Sequence, residues 1–530
     1  MRSYTPKAAA FAAICGALTL LHFPYLNLPY FWDEAGYYIP AAWDIYKAWD
    51  FVPASTLPTG HTPLVMTYLA LAWHIFGYSP MVTRLAMILI ASATVFATYV
   101  LARRFIEREP AAWCAALLAI SPLFFAQSTL VFLDLPAALF TVLAVDALVT
   151  GRMGLFAITA SLAVLTKETS VVLLPVAWAW AWWRGSGRSA PFGVSVSRRT
   201  TASPEPQKAE AEFPHSKGRG QAPPLRKWAA LLAPVIPLIA WTLYYHHQTG
   251  FWTGNAEYLA YNLHSTLDPA RAFWSLLRRL YEVFIGGFNW LIVLGALAGL
   301  SWGKKSCGGT EAAGHLYWLA GGLIAVYVLM LSIVGGAVLP RYLLPAFPLV
   351  FVGCLACIWQ LPRSVARGFC GVAAACFVAA WFINPSYPFA FENNLAYADF
   401  IRLHQDAARY LESRPPGERV LTAWPATDEV TRPLLGYVAA PLRAVPVEGF
   451  AQRDFDKIAP ESFDVLYLYS RKWEPPNNWL QRFPALLRAQ RKHFGYEPQI
   501  PDEILVQRYG LALERQFERR GQWVRIYRKQ

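Results

Sequence analysis

Long apolar segments separated by short polar ones fill the first 383 residues of the chain. A helix needs roughly 20 apolar residues to cross a bilayer, and eleven segments come close enough to that length to be predicted as transmembrane helices. The shorter apolar segment 63–76 ends at a turn and is predicted to lie at the membrane interface. The pattern therefore predicts a polytopic α-helical membrane protein with about eleven transmembrane helices plus interfacial helices. The predicted spans are 8–28, 81–102, 111–128, 135–150, 154–166, 169–183, 228–246, 282–302, 315–335, 342–363 and 365–383.

Two stretches depart from this pattern. Within the membrane domain, predicted over residues 1–383, residues 184–227 are basic and rich in Pro, Gly and Ser, which predicts a flexible cytoplasmic loop. Residues 384–530 have the composition of a soluble protein, and we predict that they form a small soluble α/β domain. Its predicted helices are 393–413 and 479–494, and its predicted strands are 419–423, 463–469 and 523–528.

The charge of the chain follows the same alternation. Only 15% of the residues are charged, against about 25% in soluble proteins. The net charge of +13 lies largely in alternate short loops, a pattern that orients membrane proteins with their basic loops in the cytoplasm and does not point to nucleic acid. We therefore predict a multi-pass protein of the plasma (inner) membrane whose remaining loops and C-terminal domain are extracytoplasmic. The predicted cytoplasmic groups are Arg103, Arg104, Arg152, the 184–227 loop, Lys304, Lys305, Arg363 and Arg367.

Ionisable side chains gather on the opposite, predicted extracytoplasmic side. Asp33 and Glu34 follow the first helix among aromatic residues, and Asp134 has apolar residues on both sides. Ionisable groups beside apolar segments are costly and usually serve a pathway or a site. We therefore predict an extracytoplasmic active site. Its candidate residues are Asp33, Glu34, His61, Asp134, Lys167, Glu168 and Arg341.

Several of these residues have structural alternatives that the sequence leaves open. A lone carboxylate at a helix end can simply be solvated, and Lys167 can be a lysine whose ammonium reaches out to the membrane interface. Arg341 can anchor a helix at that interface. His61 can be a structural histidine, a metal ligand or a hydrogen-bond donor to phosphate.

The residue types suit the displacement of a lipid-linked phosphate from a sugar. The anomeric carbon becomes oxocarbenium-like in such a reaction, and the leaving phosphate accumulates negative charge that cations can stabilise. A base must also take the proton of the acceptor. Asp33 and Asp134 can supply the base, while Lys167 and Arg341 can supply the positive charge. The chain has no Walker-type loop for ATP, so the energy has to arrive with an activated donor.

A series of short motifs resembles the GT-C glycosyltransferases, in particular the group that includes the protein O-mannosyltransferases and the lipid A aminoarabinose transferases. The likeness covers residues 1–180 and resumes at 335–350. At one motif some members of the family have Glu-Lys-Pro and others His-Pro-Pro. This chain has His61-Thr62-Pro63 there, so it lacks the lysine. The matching residues are Asp33-Glu34 with Tyr37-Tyr38, Gly60-His61-Thr62-Pro63, Arg84-Leu85, Ser121-Pro122, Asp134, Leu165-Thr166-Lys167 with Pro175, and Arg341-Tyr342-Leu343-Leu344-Pro345.

This resemblance implies an integral-membrane glycosyltransferase of the cell envelope, a hexosyl- or pentosyltransferase. Its partners would be a polyprenyl-phosphate sugar donor, a lipid, glycan or protein acceptor, and the membrane lipids. Asp33 would be the catalytic base or an acid that orients the acceptor, with Asp134 as its partner, and Lys167 and Arg341 would hold the carrier phosphate. A divalent metal ion is left open as a cofactor, with Glu34 or His61 as its ligand. The other substrate-binding residues implied are Glu34, Tyr37, His61, Arg84 and Glu168, with loop packing as the alternative for Arg84.

Two other classes of protein fit the sequence less well than this enzyme. A transporter or flippase for a lipid-linked or anionic substrate is the main alternative, but transporters place their polar groups in the middle of the membrane on broken helices of repeated halves. In this chain the polar groups gather at one face and the halves do not repeat. A membrane scaffold that displays its C-terminal domain would leave the paired carboxylates Asp33 and Glu34 without a role.

Overall fold

The structure is a computed structural model that describes residues 5–185, 225–254, 268–303, 311–334, 337–383, 389, 391–471, 482–494 and 498–530. Most of the predicted flexible loop, residues 186–224, lies outside the described residues. So does the start of the helix predicted at 479–494.

Helices make up the described part of the membrane region. Two of the predicted spans are divided in the structure where proline ends the regular hydrogen bonding, at Pro122 and near Pro234. The helices are α1 Thr5–His22, α2 Ile39–Ala48, α3 Leu64–Phe76, α4 Pro80–Ala102, α5 Arg108–Ile120, α6 Pro122–Gln127, α7 Asp134–Val149, α8 Met153–Thr166, α9 Leu173–Gly185, α10 Leu225–Leu232, α11 Val235–Thr249, α12 Pro269–Phe284, α13 Asn289–Gly303, α14 Glu311–Val334, α15 Phe347–Ile358 and α16 Arg363–Phe382.

Six helical segments of the described residues are long and apolar enough to cross a membrane. The predicted class of polytopic helical membrane protein is confirmed, whereas the number of eleven spans stays a prediction. The six segments are Lys7–Tyr25, Pro80–Ala102, Trp228–Thr249, Pro269–Gly303, Tyr317–Val334 and Arg363–Phe382.

Two helices of the membrane region were not predicted from the sequence. The helix α2 lies in the loop after the carboxylate pair, and α12 lies where a polar loop was expected. Helix α12 is amphipathic in the inverted sense. Its apolar side chains Phe273, Leu277 and Tyr281 are exposed, whereas Arg279 is fully buried. A search for long apolar segments misses such a helix because polar residues recur at each helical turn and interrupt the apolar sequence.

The C-terminal region contains a five-stranded sheet with the strand order β2-β1-β3-β5-β4. Strands β1 and β2 and strands β1 and β3 pair in parallel, while β5 runs antiparallel to both β3 and β4. The predicted small α/β unit is confirmed, with β2 and β4 as strands that the sequence pattern did not indicate. Its elements are α17 Ala396–Glu412, β1 Arg419–Ala423, α18 Ala426–Thr431, β2 Arg443–Val447, α19 Gln452–Phe455, β3 Val465–Tyr469, α20 Pro484–Phe494, α21 Asp502–Tyr509, β4 Leu511–Arg519 and β5 Gln522–Lys529.

The buried apolar side chains form two clusters. One cluster lies among the membrane helices, from Leu18 on α1 to Phe377 on α16. The other combines the loop that follows α1, including Tyr30 and Phe31, with the sheet and helices of the C-terminal region as far as Tyr527. The stretch that carries the carboxylate pair therefore shares its core with the C-terminal sheet.

Candidate active site

The neighbouring carboxylates Asp33 and Glu34 point into different surroundings because the backbone is irregular at this position. Trp32 has a φ of 49°, in the left-handed region that residues other than glycine seldom adopt. Residues Glu34–Tyr38 then form one turn of π-helix, a feature that often occurs at functional sites. Glu34 is fully buried, whereas the side chain of Asp33 is 18% exposed.

Glu34 forms a closed ion pair with Arg84 of α4. Arg84 Nη2 lies 3.1 Å from Glu34 Oε2, and Nη1 contacts Oε1. The same carboxylate accepts the backbone N–H groups of Phe31 at 2.7 Å and Val131 at 2.5 Å. Arg84 also donates to the carbonyl of Thr129 at 2.7 Å. Every charge of this pair is therefore compensated by the protein itself, which gives the pair a structural role in fixing the loop.

Asp33 faces Arg341, the centre of a second charged cluster. Arg341 lies on the 3-10 turn Pro340–Leu343, and its guanidinium contacts both Asp33 and Glu392. Its Nε lies 3.4 Å from Asp134 Oδ2 without hydrogen-bond geometry. One buried guanidinium thus serves three carboxylates.

Lys167 completes this cluster at the C-terminal end of α8. Its ammonium lies 2.5 Å from Asp134 Oδ1 and 3.8 Å from the centre of the Tyr342 ring. Asp134 begins α7 and is only 2% exposed, and the Phe132 ring packs 3.8 Å from the guanidinium of Arg341. We call Asp33, Asp134, Lys167, Arg341 and Glu392 the Arg341 cluster.

Glu392 is the member that was not predicted from the sequence. It lies in the loop before α17, and Gln127 of α6 donates to its backbone carbonyl at 2.8 Å. Burial raises the pKa of Glu392 to about 7, against the opposing effect of Arg341. The cluster holds three carboxyl groups and two cations, so it is neutral when Glu392 is protonated and carries one negative charge when Glu392 is ionised.

His61 and Glu168 meet beside this cluster. His61 Nδ1 lies 3.0 Å from Glu168 Oε2, and the backbone N–H of Thr62 donates to Glu168 Oε1 at 3.2 Å. The ring of Tyr38 lies between His61 and Phe132, at 6.4 and 6.1 Å from their ring centres.

Tyr37 packs instead against Trp424, which follows strand β1, with ring centres 5.3 Å apart. Gly36 makes this contact feasible because a Cβ at its position would lie 2.2 Å from Trp424 Nε1.

Arg279 is a further buried cation that the sequence did not single out. It is 0% exposed on the inward face of α12, and this helix packs against the 3-10 turn that carries Arg341. Its Nη2 donates to the carbonyls of Leu331 and Ala337 at 3.2 and 3.3 Å, whereas Nε and Nη1 make no hydrogen bond to the described residues. The inverted amphipathicity of α12 is the signal that could have revealed it.

Charged groups at the opposite helix ends form ordinary ion pairs. Asp146 pairs with Arg104 at 2.9 Å and with Arg152 at 2.6 Å. Arg367 pairs with Glu109 at 2.6 Å. The predicted site residues Asp33, Asp134, Lys167 and Arg341 are thus brought together by the fold, with His61 and Glu168 beside them and the basic loops elsewhere.

The part of the chain that the structure describes offers no ligand set for a divalent metal ion. Among the described residues, no three His, Cys, Asp or Glu side chains come together as metal ligands would. The oxygens of Glu34 are taken by Arg84 and backbone N–H groups, and His61 Nδ1 is taken by Glu168. These residues do not fit a metal, and dependence on one stays a prediction.

Comparisons with known proteins agree with this fold. Residues 60–193 match the family model described as dolichyl-phosphate-mannose-protein mannosyltransferase. ArnT from Cupriavidus metallidurans bound to undecaprenyl phosphate is similar over 98% of either chain, with a TM-score of 0.55 and 14% identity. Its apo form gives a TM-score of 0.54 and 14% identity over 99% of this chain and 98% of ArnT.

A more distant structure is the archaeal oligosaccharyltransferase AglB from Archaeoglobus fulgidus in complex with an inhibitory peptide and a dolichol-phosphate. It gives a TM-score of 0.46 and 10% identity over 87% of this chain and 69% of AglB. No curated protein matches the sequence. The chain has the GT-C membrane fold, and the resemblance to GT-C glycosyltransferases that its motifs indicate is confirmed.

Proposed function

We propose that this protein is a membrane glycosyltransferase that moves a sugar from a polyprenyl-phosphate carrier to a hydroxyl-bearing acceptor. The observation that carries the proposal is the Arg341 cluster. In it the partly exposed carboxylate of Asp33 lies beside two cations, Lys167 and Arg341, which three carboxyl groups share. ArnT, whose fold this chain shares, binds undecaprenyl phosphate, which supports a carrier of this kind.

The reaction follows from the groups of the cluster. Asp33 takes the proton of the acceptor hydroxyl while the acceptor oxygen forms a bond to the anomeric carbon of the sugar. The bond between that carbon and the phosphate oxygen breaks, and the carrier phosphate leaves with the electron pair. Asp134 is buried and holds Lys167 at 2.5 Å, so we assign it the role of positioning the cations.

The carrier phosphate needs cations that carboxylates do not fully engage. Lys167 and Arg341 are paired with carboxylates, so a phosphate has to compete for them. Arg279 has no carboxylate partner among the described residues, and it lies on a helix that packs against the Arg341 turn. We therefore include Arg279 with Lys167 and Arg341 in the proposed phosphate site, because a buried guanidinium with unused N–H groups binds phosphate strongly.

The test is transfer by the purified protein. Undecaprenyl phosphate carrying mannose, glucose or 4-amino-arabinose is supplied with a lipid, glycan or peptide acceptor, and release of the free carrier phosphate is followed. Asp50→Asn, an exposed change in the same loop as Asp33, serves as the control variant. Release of the carrier by the wild type and Asp50→Asn supports the proposal. Intact donor in every combination would contradict it.

We also propose that the site and the C-terminal region face away from the cytoplasm at the plasma (inner) membrane. The proposal rests on the basic loops, which lie apart from the Arg341 cluster. A cysteine replacing Ser203, which lies outside the described residues, should react only with membrane-permeant reagents in intact cells. A cysteine replacing Glu461, which is exposed in the C-terminal region, should react with impermeant ones. Labelling of both positions from the same side would refute this orientation.

A further inference from the structure

Helix α20 brings exposed basic side chains together without acidic partners. Arg488 and Lys492 lie one turn apart on the same face of the helix, and Arg482 stands just before it. All three are exposed, and none forms an ion pair with the described residues. Other arginines of the C-terminal region commonly have such a partner, as Arg419 does in Asp464 at 2.8 Å. The uncompensated charge of α20 is therefore available to an anionic partner.

Helix α20 is attached to the membrane helix α12. The two helices pack against each other, and His493 Nδ1 lies 3.1 Å from Asp268 Oδ2. Asp268 is the N-cap of α12, and its Oδ1 accepts the backbone N–H groups of Ala270 at 2.9 Å and Arg271 at 3.3 Å. One carboxylate thus joins the two helices, and Lys492 is next to this junction in the chain.

This junction lies at the surface of the membrane. Helix α12 begins the candidate span Pro269–Gly303, and Phe273 is its first exposed large apolar side chain. The rise of 1.5 Å per residue puts Phe273 about 7.5 Å from Asp268 along the helix axis. The side chain of Asp268 is itself 37% exposed. Helix α20 therefore lies where the apolar face of α12 meets water.

Position and chemistry together select the bilayer as the partner. Anionic phospholipids present phosphate groups at this level, and each Lys or Arg near such a surface strengthens binding by about fivefold. Phe483, directly before α20, is half-exposed, and a combination of basic and apolar exposed side chains is typical of segments that lie in the membrane interface. Because α12 holds the bilayer beside α20, the headgroups have a high effective concentration that a dissolved anion lacks.

We propose that α20 docks on the phosphate headgroups of anionic phospholipids in the leaflet where α12 begins. Arg488 and Lys492 supply the positive charge, and the His493–Asp268 pair holds the helix at the level of the headgroups. The contact attaches the C-terminal region to the membrane surface and does not depend on the proposed sugar transfer.

The test is amide hydrogen exchange of α20 in the full-length protein. The protein is reconstituted into neutral nanodiscs of phosphatidylcholine or into anionic nanodiscs of equal parts phosphatidylcholine and phosphatidylglycerol. The double variant Arg488→Glu/Lys492→Glu reverses the charge of the proposed contact. Arg515→Glu is the matched control, since Arg515 is exposed on β4 and likewise has no ion pair with the described residues.

The amides of wild-type α20 should exchange roughly fivefold or more slowly in the anionic nanodiscs than in the neutral ones, because docking opposes local opening of the helix. Salt at about 1 M, where the Debye length falls to about 3 Å, should abolish this difference. The double variant should exchange in both nanodiscs at the rate of the wild type in the neutral ones. Arg515→Glu should keep the full difference.

Three outcomes contradict the proposal. Equal exchange of wild-type α20 in the two nanodiscs at low salt would show that the helix does not bind anionic lipid. A difference that persists in the double variant or at high salt would assign the protection to other contacts. Slower exchange in the neutral nanodiscs after addition of inorganic phosphate would show that α20 binds dissolved phosphate instead of the membrane surface.

Discussion

Two charged groups centred on arginine hold the neighbouring carboxylates Glu34 and Asp33 and are built on opposite principles. Around Arg84, one guanidinium meets one carboxylate, and backbone groups take the remaining hydrogen-bonding positions. Around Arg341, one guanidinium contacts Asp33 and Glu392 and lies near Asp134, and one oxygen of Glu392 has no partner in the described residues. The first group is complete, whereas the second keeps a carboxylate oxygen that a hydrogen-bond donor can fill.

The difference shows how to distinguish ion pairs that stabilise the fold of a membrane protein from charged groups that can act on a substrate. A buried ion pair is stable only when its hydrogen-bonding positions are filled, and removing one partner is then very costly. A cluster in which carboxylates outnumber cations gains instead from a further hydrogen-bond donor, such as a proton or a hydroxyl group. Glu34 and Asp33 are adjacent in the sequence, yet only Asp33 belongs to the second kind.

The largest effect is expected at Asp33. Asp33→Asn keeps the shape of the side chain but removes its basicity, and general-base catalysis typically contributes 10²–10⁴-fold in rate. Single-turnover sugar transfer should fall by that factor while affinity for the carrier lipid stays within a few-fold. The exposed Asp50→Asn should transfer at the wild-type rate. Near-normal transfer by Asp33→Asn would make Asp33 as structural as Glu34.

The second prediction concerns the complete pair. Arg84→Ala leaves the buried carboxylate of Glu34 without its counter-charge, which costs about 3–5 kcal/mol in the free energy of unfolding. Thermal unfolding in detergent should show this loss. Arg363→Ala, which removes an exposed arginine, is the control and should unfold like the wild type. A stable Arg84→Ala protein that cannot bind substrate would instead place Arg84 in the site.

The third prediction addresses the proposed phosphate site. Arg279→Ala and Lys167→Ala should each weaken the binding of undecaprenyl phosphate by roughly tenfold or more, since a charge-assisted contact contributes about 1.5–3 kcal/mol. Equilibrium binding to the folded variants measures this effect, with Arg363→Ala again as the control. Unchanged affinity in both variants would leave them as structural cations.

The smallest effect is expected from pH. Because the pKa of Glu392 is raised to about 7, this side chain is largely protonated below that value and ionised above it. The ionised form competes with phosphate for Arg341, so carrier affinity should fall a few-fold as the pH rises from about 6 to about 8. Glu392→Gln cannot ionise and should show a flatter profile over the same range. If carrier affinity depended on pH in the same way in both proteins, Glu392 would not compete with phosphate for Arg341.

Much of the fold was predictable because apolar length decides where a chain can enter a bilayer. The helices α4, α7 and α8 begin and end within two residues of their predicted bounds. Helix α12 was not predictable in this way because its buried face is polar and its exposed face apolar. Strands β2 and β4 are edge strands with largely exposed side chains, so they carry little of the apolar pattern that revealed β3.

The sequence could predict the candidate site only by placing its residues on the same side of the membrane, from which we inferred that they lie close together. That argument grouped Asp33, Asp134, Lys167 and Arg341, which the fold brings together. It could not separate Asp33 from Glu34, since this depends on the left-handed backbone at Trp32. Glu392 was missed because it lies in a loop where no periodic pattern marks a carboxylate.

The core that joins the carboxylate loop to the C-terminal sheet also sets the order of assembly during synthesis. Tyr30 and Phe31 are translated early, but part of their core is supplied by β5, whose residues extend to Lys529. Strand β5 pairs between β3 and β4, so the sheet remains incomplete until the ribosome has passed this strand. Membrane helices can insert one after another, whereas the turn that carries Asp33 must wait for aromatic partners as late in the chain as Tyr397 and Trp424, and for the sheet behind them. A nascent or truncated chain would therefore occupy the membrane without an ordered site.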